Sequence, residues 1–256
     1  MRFPDSPLSP SRSTSSLGPF STSFRTTSLA QPALVTMIFT LLSAAATLAA
    51  VAKAQLAPSG TVSVTPHDMY SSSIGALGCK LNTNRVAYWP AVPGCDNLCI
   101  QLSYQGRTLN VLHIDTSGGA YDISYDAWNY LGFGVSATEQ PWQGGGISMD
   151  YQVVGMDQCA DILAPAGGKL GLTAANSMNY VAACAGQPDS WVAKNYALYN
   201  ILNPVCTWGF DEECTVDLAA GQNQPTCPNI LGLTVPLTTA PVYNIQYGTG
   251  LSVLAQ

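Results

Sequence analysis

Between residues 60 and 154 the apolar side chains recur mostly at every second position, the period of a half-buried strand. Thr61 to Thr65 alternates valine with hydroxyl residues, and Arg85 to Trp89 is a short aromatic run. Leu98 to Tyr104 and Thr108 to Ile114 flank Gln105-Gly106, which predicts a hairpin closed by a glycine turn. Ile147, Met149, Tyr151 and Val153 alternate after the Gly144-Gly145-Gly146 hinge and predict one more strand. Ser124 to Leu131 breaks this rhythm and predicts a helix, with Asp122 or Ser124 as N-cap, Asp126 in the first turn and Gly132 as the stop. The texture changes beyond Met156. Thr173 to Cys184 and Ser190 to Ile201 have helical spacing, and Cys206 to Cys227 reads as a polar, cystine-rich loop region.

Ahead of this lies Ala33 to Ala54, ALVTMIFTLLSAAATLAAVAKA, an apolar run ending in the small-residue pattern Ala52-Lys53-Ala54. Its Ala-rich second half and the absence of a following basic cluster favour a signal peptide cleaved after Ala54 over a membrane span. Residues 1–33 are rich in Ser, Thr and Pro, and either Met1 or Met37 suits the start. The expected division is a leader over 1–54, a β domain over 55–155 and a C-terminal extension over 156–256.

Cleavage would leave five basic and fourteen acidic residues, a net charge of −9. Such a surface offers no cationic track for a phosphate backbone, which excludes nucleic acid as an expected partner, and anionic membranes are disfavoured for the same reason. The low charge density suits a surface of amides, hydroxyls and aromatics, the chemistry that meets neutral polysaccharide. All eight cysteines, Cys79, Cys95, Cys99, Cys159, Cys184, Cys206, Cys214 and Cys227, follow the cleavage site, and the even count predicts four disulfides in an oxidising destination. Spacing does not choose their pairing. There is no C-x-x-C pair and the histidines are only His67 and His113, so no metal is expected. Nothing in the sequence calls for a cofactor, and no Asn-x-Ser/Thr acceptor for N-glycosylation occurs.

Three stretches occur in the order shown by the expansin-like and RlpA-like double-psi β-barrel superfamily. Residues 70–79, YSSSIGALGC, resemble its early segment, in which an aromatic precedes small residues and a cysteine. Residues 99–114, CIQLSYQGRTLNVLHI, are similar to its paired strands around a glycine turn. Residues 115–131, DTSGGAYDISYDAWNYL, resemble its Asp, glycine-containing loop, Asp-Leu-Ser and helix, with Asp122-Ile123-Ser124 at the Asp-Leu-Ser element. The match spans about eighty residues and leaves Met156 to Gln256 unaccounted for; the second, carbohydrate-binding β-sandwich of plant expansins is not evident there. The resemblance implies a mainly β protein, a six-stranded double-psi β-barrel with a helical, cystine-rich C-terminal extension, of the fungal secreted type.

It also implies an acidic residue in an open groove, contacting or protonating a glycosidic or hydroxyl oxygen. Asp122 and Asp115 are the candidates. A carboxyl acting as an acid needs a raised pKa, from burial or a neighbouring carboxylate. The plainer alternatives are that Asp122 caps the helix and Asp115 closes a turn before Gly118-Gly119. Tyr70, Tyr88, Trp89, Tyr121 and Tyr125 fall near the acids, where rings could stack on sugar faces or pack a core. His113 shares strand parity with Asp115 and could line the same groove. Ser-His-Asp chemistry is poorly supported, since no G-x-S-x-G occurs. Two functions stand open. One is a secreted, extracellular expansin-like protein that binds or loosens cell-wall polysaccharide, without cleavage or with weak lytic-transglycosylase-like cleavage. The other is a non-catalytic effector or inhibitor that uses the barrel to engage a host or wall protein.

Overall fold

The computed structural model describes residues 56–256; the expected leader and its cleavage site lie outside the described residues. Six strands close a barrel: β1 (Ser59–His67), β2 (Val86–Trp89), β3 (Cys99–Tyr104), β4 (Arg107–Thr116), β5 (Tyr121–Ser124) and β6 (Ile147–Val153). Their order around the ring is β1-β5-β2-β4-β3-β6. The β1–β5 and β2–β4 pairs are parallel, and the other four contacts are antiparallel. Exchanging β1, β2, β3 for β4, β5, β6 leaves both the order and the parallel pairs unchanged. This pseudo-twofold ring is the six-stranded barrel expected from the sequence.

Local chemistry accounts for the elements. Gln105 and Gly106 both have positive φ, 48° and 77°, which turns β3 tightly into β4. Helix α1 (Tyr125–Phe133) stops where Gly134 turns left-handed and returns its N–H to the Tyr130 carbonyl. Arg107 donates to the carbonyls of Leu131 and Gly132 at 2.7 and 3.0 Å, so a cation sits where the helix dipole favours one. At the other end Asp126 is buried, pairs with Arg85 at 2.7 Å and accepts from Ser136 and the Ala137 N–H. Burial alone would raise its pKa, but these hydrogen bonds and the Arg85 charge outweigh burial and hold it below the usual carboxylate value.

Two hydrophobic clusters follow from strand alternation. Val64, Ala87, Trp89, Ile100, Leu102, Val111, Ile123, Met149 and Tyr151 fill the barrel, closed over by Trp128 and Leu131 of α1. The opposite faces of β2, β3 and β4 contribute Tyr88, Cys99, Leu112 and Ile114 to a second cluster, shared with Ile162, Leu172, Val181 and Leu198 of the C-terminal half.

That half contains α2 (Ala160–Leu163), β7 (Leu170–Thr173), α3 (Met178–Ala185), α4 (Trp191–Lys194), β8 (Tyr196–Ile201) and β9 (Gly209–Cys214), followed by a terminal hairpin of β10 (Tyr243–Ile245) and β11 (Ser252–Leu254). The helix expected over Ser190 to Ile201 makes one turn only. Its remainder is β8, the middle strand of a β7-β8-β9 sheet. A strand covered on both faces is apolar almost throughout, and over a short run that pattern does not differ from a buried helix. Helix α3 likewise begins after a strand rather than at Thr173.

All eight cysteines are paired, as Cys79–Cys206, Cys95–Cys184, Cys99–Cys159 and Cys214–Cys227. Three of the four bonds tie residues before Met156 to residues after it. An odd number of cysteines before that point already required one such link.

Candidate functional site

Strand β2 is the middle of a three-strand row, and its Tyr88 lies opposite Asp115 on one side and Asp122 on the other. One strand further out, Thr65 is in register with Asp122. Thr65, Asp122, Tyr88 and Asp115 therefore form a line across the outside of the barrel. Asp115 reaches that line because the β2–β4 register shifts between Ala87 and Tyr88. The extra residue places both Ile114 and Asp115 opposite Tyr88.

The same bulge separates His113 from Asp115. His113 pairs with Ala87, faces the barrel interior near Trp89 and is 1% exposed. The parity argument that put it in the groove assumed an unbroken strand. Burial lowers the His113 pKa to about 4, against the weaker pull of the Asp115 backbone and charge and of the Trp89 and Ala91 backbone. A folded pKa below the unfolded 6.5 means that the unfolded chain binds the proton more readily. Stability from neutral His113 is complete above pH 6.5 and lost as pH falls through about 4. The difference is roughly 3 kcal/mol. Denaturant titrations at pH 7 and 4.5 are expected to show most of this loss in the wild type and less than half of it in His113→Gln; equal losses would refute it.

The bulge is held by the serines of the YSSSIG segment. The Ser71 hydroxyl donates to Asp115 Oδ2 at 2.5 Å, Ser72 donates to the Ile114 carbonyl at 3.0 Å, and the Thr116 N–H donates to Ser73 at 3.2 Å. Asp115 Oδ1 also accepts from the Thr116 N–H at 2.7 Å. The turn at Gly118-Gly119 is closed by Ser117, which bonds the Ala120 carbonyl and the Gly119 N–H, so Asp115 is not its closing residue. Asp122 accepts from the Thr65 hydroxyl and caps nothing, because Ser124 occupies the N-cap position. Both carboxylates and Thr65 are half-buried. Among the described residues, no hydrogen bond to either carboxylate comes from beyond Thr116.

Tyr88 is 4% exposed. Burial raises its pKa well above that of an ordinary tyrosine; a hydrogen bond from the Ser71 backbone opposes this, and the charges of Asp115 and Asp122 reinforce it. It stays a neutral phenol between two carboxylates. The remaining aromatics expected near the acids are placed differently. Trp89 is fully buried in the barrel, edge-on to Tyr121 at 5.1 Å and Tyr151 at 5.0 Å. Tyr70 is buried with its hydroxyl on the Ala76 carbonyl, and burial, then Tyr88 and Asp115, raise its pKa. Tyr125 is buried and donates to the Trp142 carbonyl. None of these three presents a ring face to a ligand. Tyr121 is half-buried against Trp89.

His67 was not among the site residues expected from the sequence. The structure puts it on the same outer face as Thr65, with its ring 4.6 Å from that of Tyr88. Strand parity with Thr65 was the available signal. Thr65 itself was readable only through the β1–β5 pairing, which joins residues 57 positions apart.

No protein-family model matches the sequence, and no curated protein matches it. Among solved structures the chain is similar to cerato-platanin 3 from M. perniciosa, at 15% identity and a TM-score of 0.30, and to cerato-platanin 2 from M. perniciosa, at 18% and 0.29. Each comparison covers 39% of this chain and 98% of the other.

Proposed function

We propose that the protein is secreted and binds neutral cell-wall polysaccharide in the groove along Thr65, Asp122, Tyr88 and Asp115, loosening the polymer without cleavage or with only weak cleavage. The observation that carries this reading is the placement of two half-buried carboxylates on either side of one tyrosine, with each acid fixed by a hydroxyl. Fixed acceptors of this kind take hydrogen bonds from sugar hydroxyls, and charged acceptors form the stronger ones. The resemblance of residues 70–131 to the expansin-like barrel supports the same site, and four disulfides suit an extracellular destination.

In this reading the barrel over 55–155 carries the site, and residues 156–256 brace it through the shared core and three disulfides. Cleavage would require Asp122 or Asp115 to act as a proton donor. Binding requires only their fixed oxygens, and so comes first. A second reading, as an effector or inhibitor engaging a host or wall protein, draws support from the exposed Leu251, Val253 and Leu254 of the terminal hairpin. The two separate in a pull-down against insoluble cellulose, chitin and peptidoglycan. The glycan reading expects retention on at least one of them that is lost when Asp122 and Asp115 are both replaced by asparagine. Retention on none rejects it.

A further inference from the structure

Two positions beyond Asp122 and Thr65 the same face of the barrel continues with Ser124 opposite His67. Ser124 is the N-cap of α1, yet its side chain makes no capping hydrogen bond. A serine at this position ordinarily accepts from the N–H groups of the first turn. Its hydroxyl is buried, with the residue only 5% exposed, and has no hydrogen-bond partner among the described residues. A buried hydroxyl that forgoes both its cap and every other partner costs stability, and such groups are rare in folded proteins.

Ser124 lines a half-open niche with His67, Asp68, Thr83, Asn84 and Asn244. The wall bearing Asn244 belongs to the terminal hairpin and is tied to the barrel through the Tyr70 N–H, which donates to Asn244 Oδ1 at 3.0 Å. The Tyr247 N–H donates to Asp68 at 2.9 Å and fixes the adjoining side. The free volume is about 10 Å³, room for one water-sized group. A sugar ring does not fit there, but a single hydroxyl on a short arm does.

We propose that this niche receives the primary hydroxyl of a hexopyranose unit lying in the groove, with Ser124 as its hydrogen-bond partner. The polymer recognised is then built of hexoses bearing a hydroxymethyl group, and not of pentoses such as xylose, which lack that arm. The inference rests on the groove being the glycan site. It adds which class of chain the groove selects.

Titrating the full chain with cellohexaose, chitohexaose and xylohexaose, for the wild type and Ser124→Ala, separates the outcomes. The wild type is expected to bind at least one of the two hexose oligomers about tenfold more tightly than xylohexaose, the worth of one good buried hydrogen bond. Ser124→Ala brings that affinity to within about threefold of xylohexaose. Its melting temperature stays level or rises, because an unpartnered hydroxyl is removed. If the wild type binds hexose and pentose oligomers equally and Ser124→Ala changes nothing, the niche holds a structural water only and the inference fails while the groove reading stands. If no oligomer binds, the inference fails, and the pull-down alone decides the groove reading. A lowered melting temperature in Ser124→Ala would assign the hydroxyl a structural role and overturn the proposal.

Discussion

Replacing Cys79 and Cys206 together by serine is expected to destabilise the folded chain by about 4 kcal/mol, because with Cys95–Cys184 intact the loop that this bond closes runs over residues 79–95 and 184–206. The bond joins residues 127 apart in sequence, from the segment before β2 to the turn after β8. Cutting it frees the unfolded chain from a long closed loop, and the entropy regained by that state grows with loop length. The cost in the folded state is local: both cysteines belong to or pack against the core shared by the two halves, and the Cys79 N–H faces Cys206 Sγ at 3.3 Å. The Cys214→Ser, Cys227→Ser pair is the internal comparison. Its bond spans 13 residues within the C-terminal half and is expected to be worth about 3 kcal/mol. Denaturant unfolding of both double variants under non-reducing conditions checks the order. Equal losses, or a loss below about 1 kcal/mol for the Cys79 and Cys206 pair, would contradict the bracing role given to residues 156–256.

The second large effect is functional. Asp122→Asn is expected to weaken glycan binding by about 10- to 100-fold, the value of hydrogen bonds to a charged rather than a neutral acceptor. It should shift the melting temperature by no more than about 2 °C. Asparagine keeps the size of the side chain and an oxygen to accept from Thr65, and no helix cap is lost, because Asp122 caps nothing. Tyr88 remains buried between Asp115 and the new amide. Asp122→Asn retaining wild-type affinity would move the site to Asp115. A melting temperature many degrees lower would give Asp122 a structural role.

How much of this could be read from the chain depends on the range of the interaction that decides each feature. Val62 and Val64, the Gln105-Gly106 turn and the alternation from Ile147 to Val153 are local signals, and the strands they predict are present. The strand Tyr121–Ser124 is only four residues long and runs straight into α1, so its local pattern merged with the helix. Its pairing with β1 and β2 is what aims Asp122 outward and relieves it of capping. The bulge at Ile114 is similarly invisible to periodicity, since nothing in VLHIDT marks the extra residue. It is stabilised by Ser71, Ser72 and Ser73, about forty residues earlier. Missing it reversed His113 from groove to core. The aromatics Tyr70, Trp89 and Tyr125 were legible as important but not as buried, because a ring suited to stacking on sugar is equally suited to filling a barrel. The orphaned hydroxyl of Ser124 is a purely three-dimensional fact.

In the function proposed above, the outer row of the barrel is the glycan-contacting surface. Backbone amide chemical shifts, followed while a soluble oligosaccharide of a polymer that retained the protein is titrated in, test this residue by residue. The largest changes are expected at Thr65, Tyr88, Asp115, Thr116 and Asp122, continuing to His67 and Ser124, and fading in Asp122→Asn at the same ligand concentration. Saturable changes confined to the terminal hairpin, from Tyr243 to Leu254, or to the β7-β8-β9 sheet, with the barrel row unmoved, would contradict it.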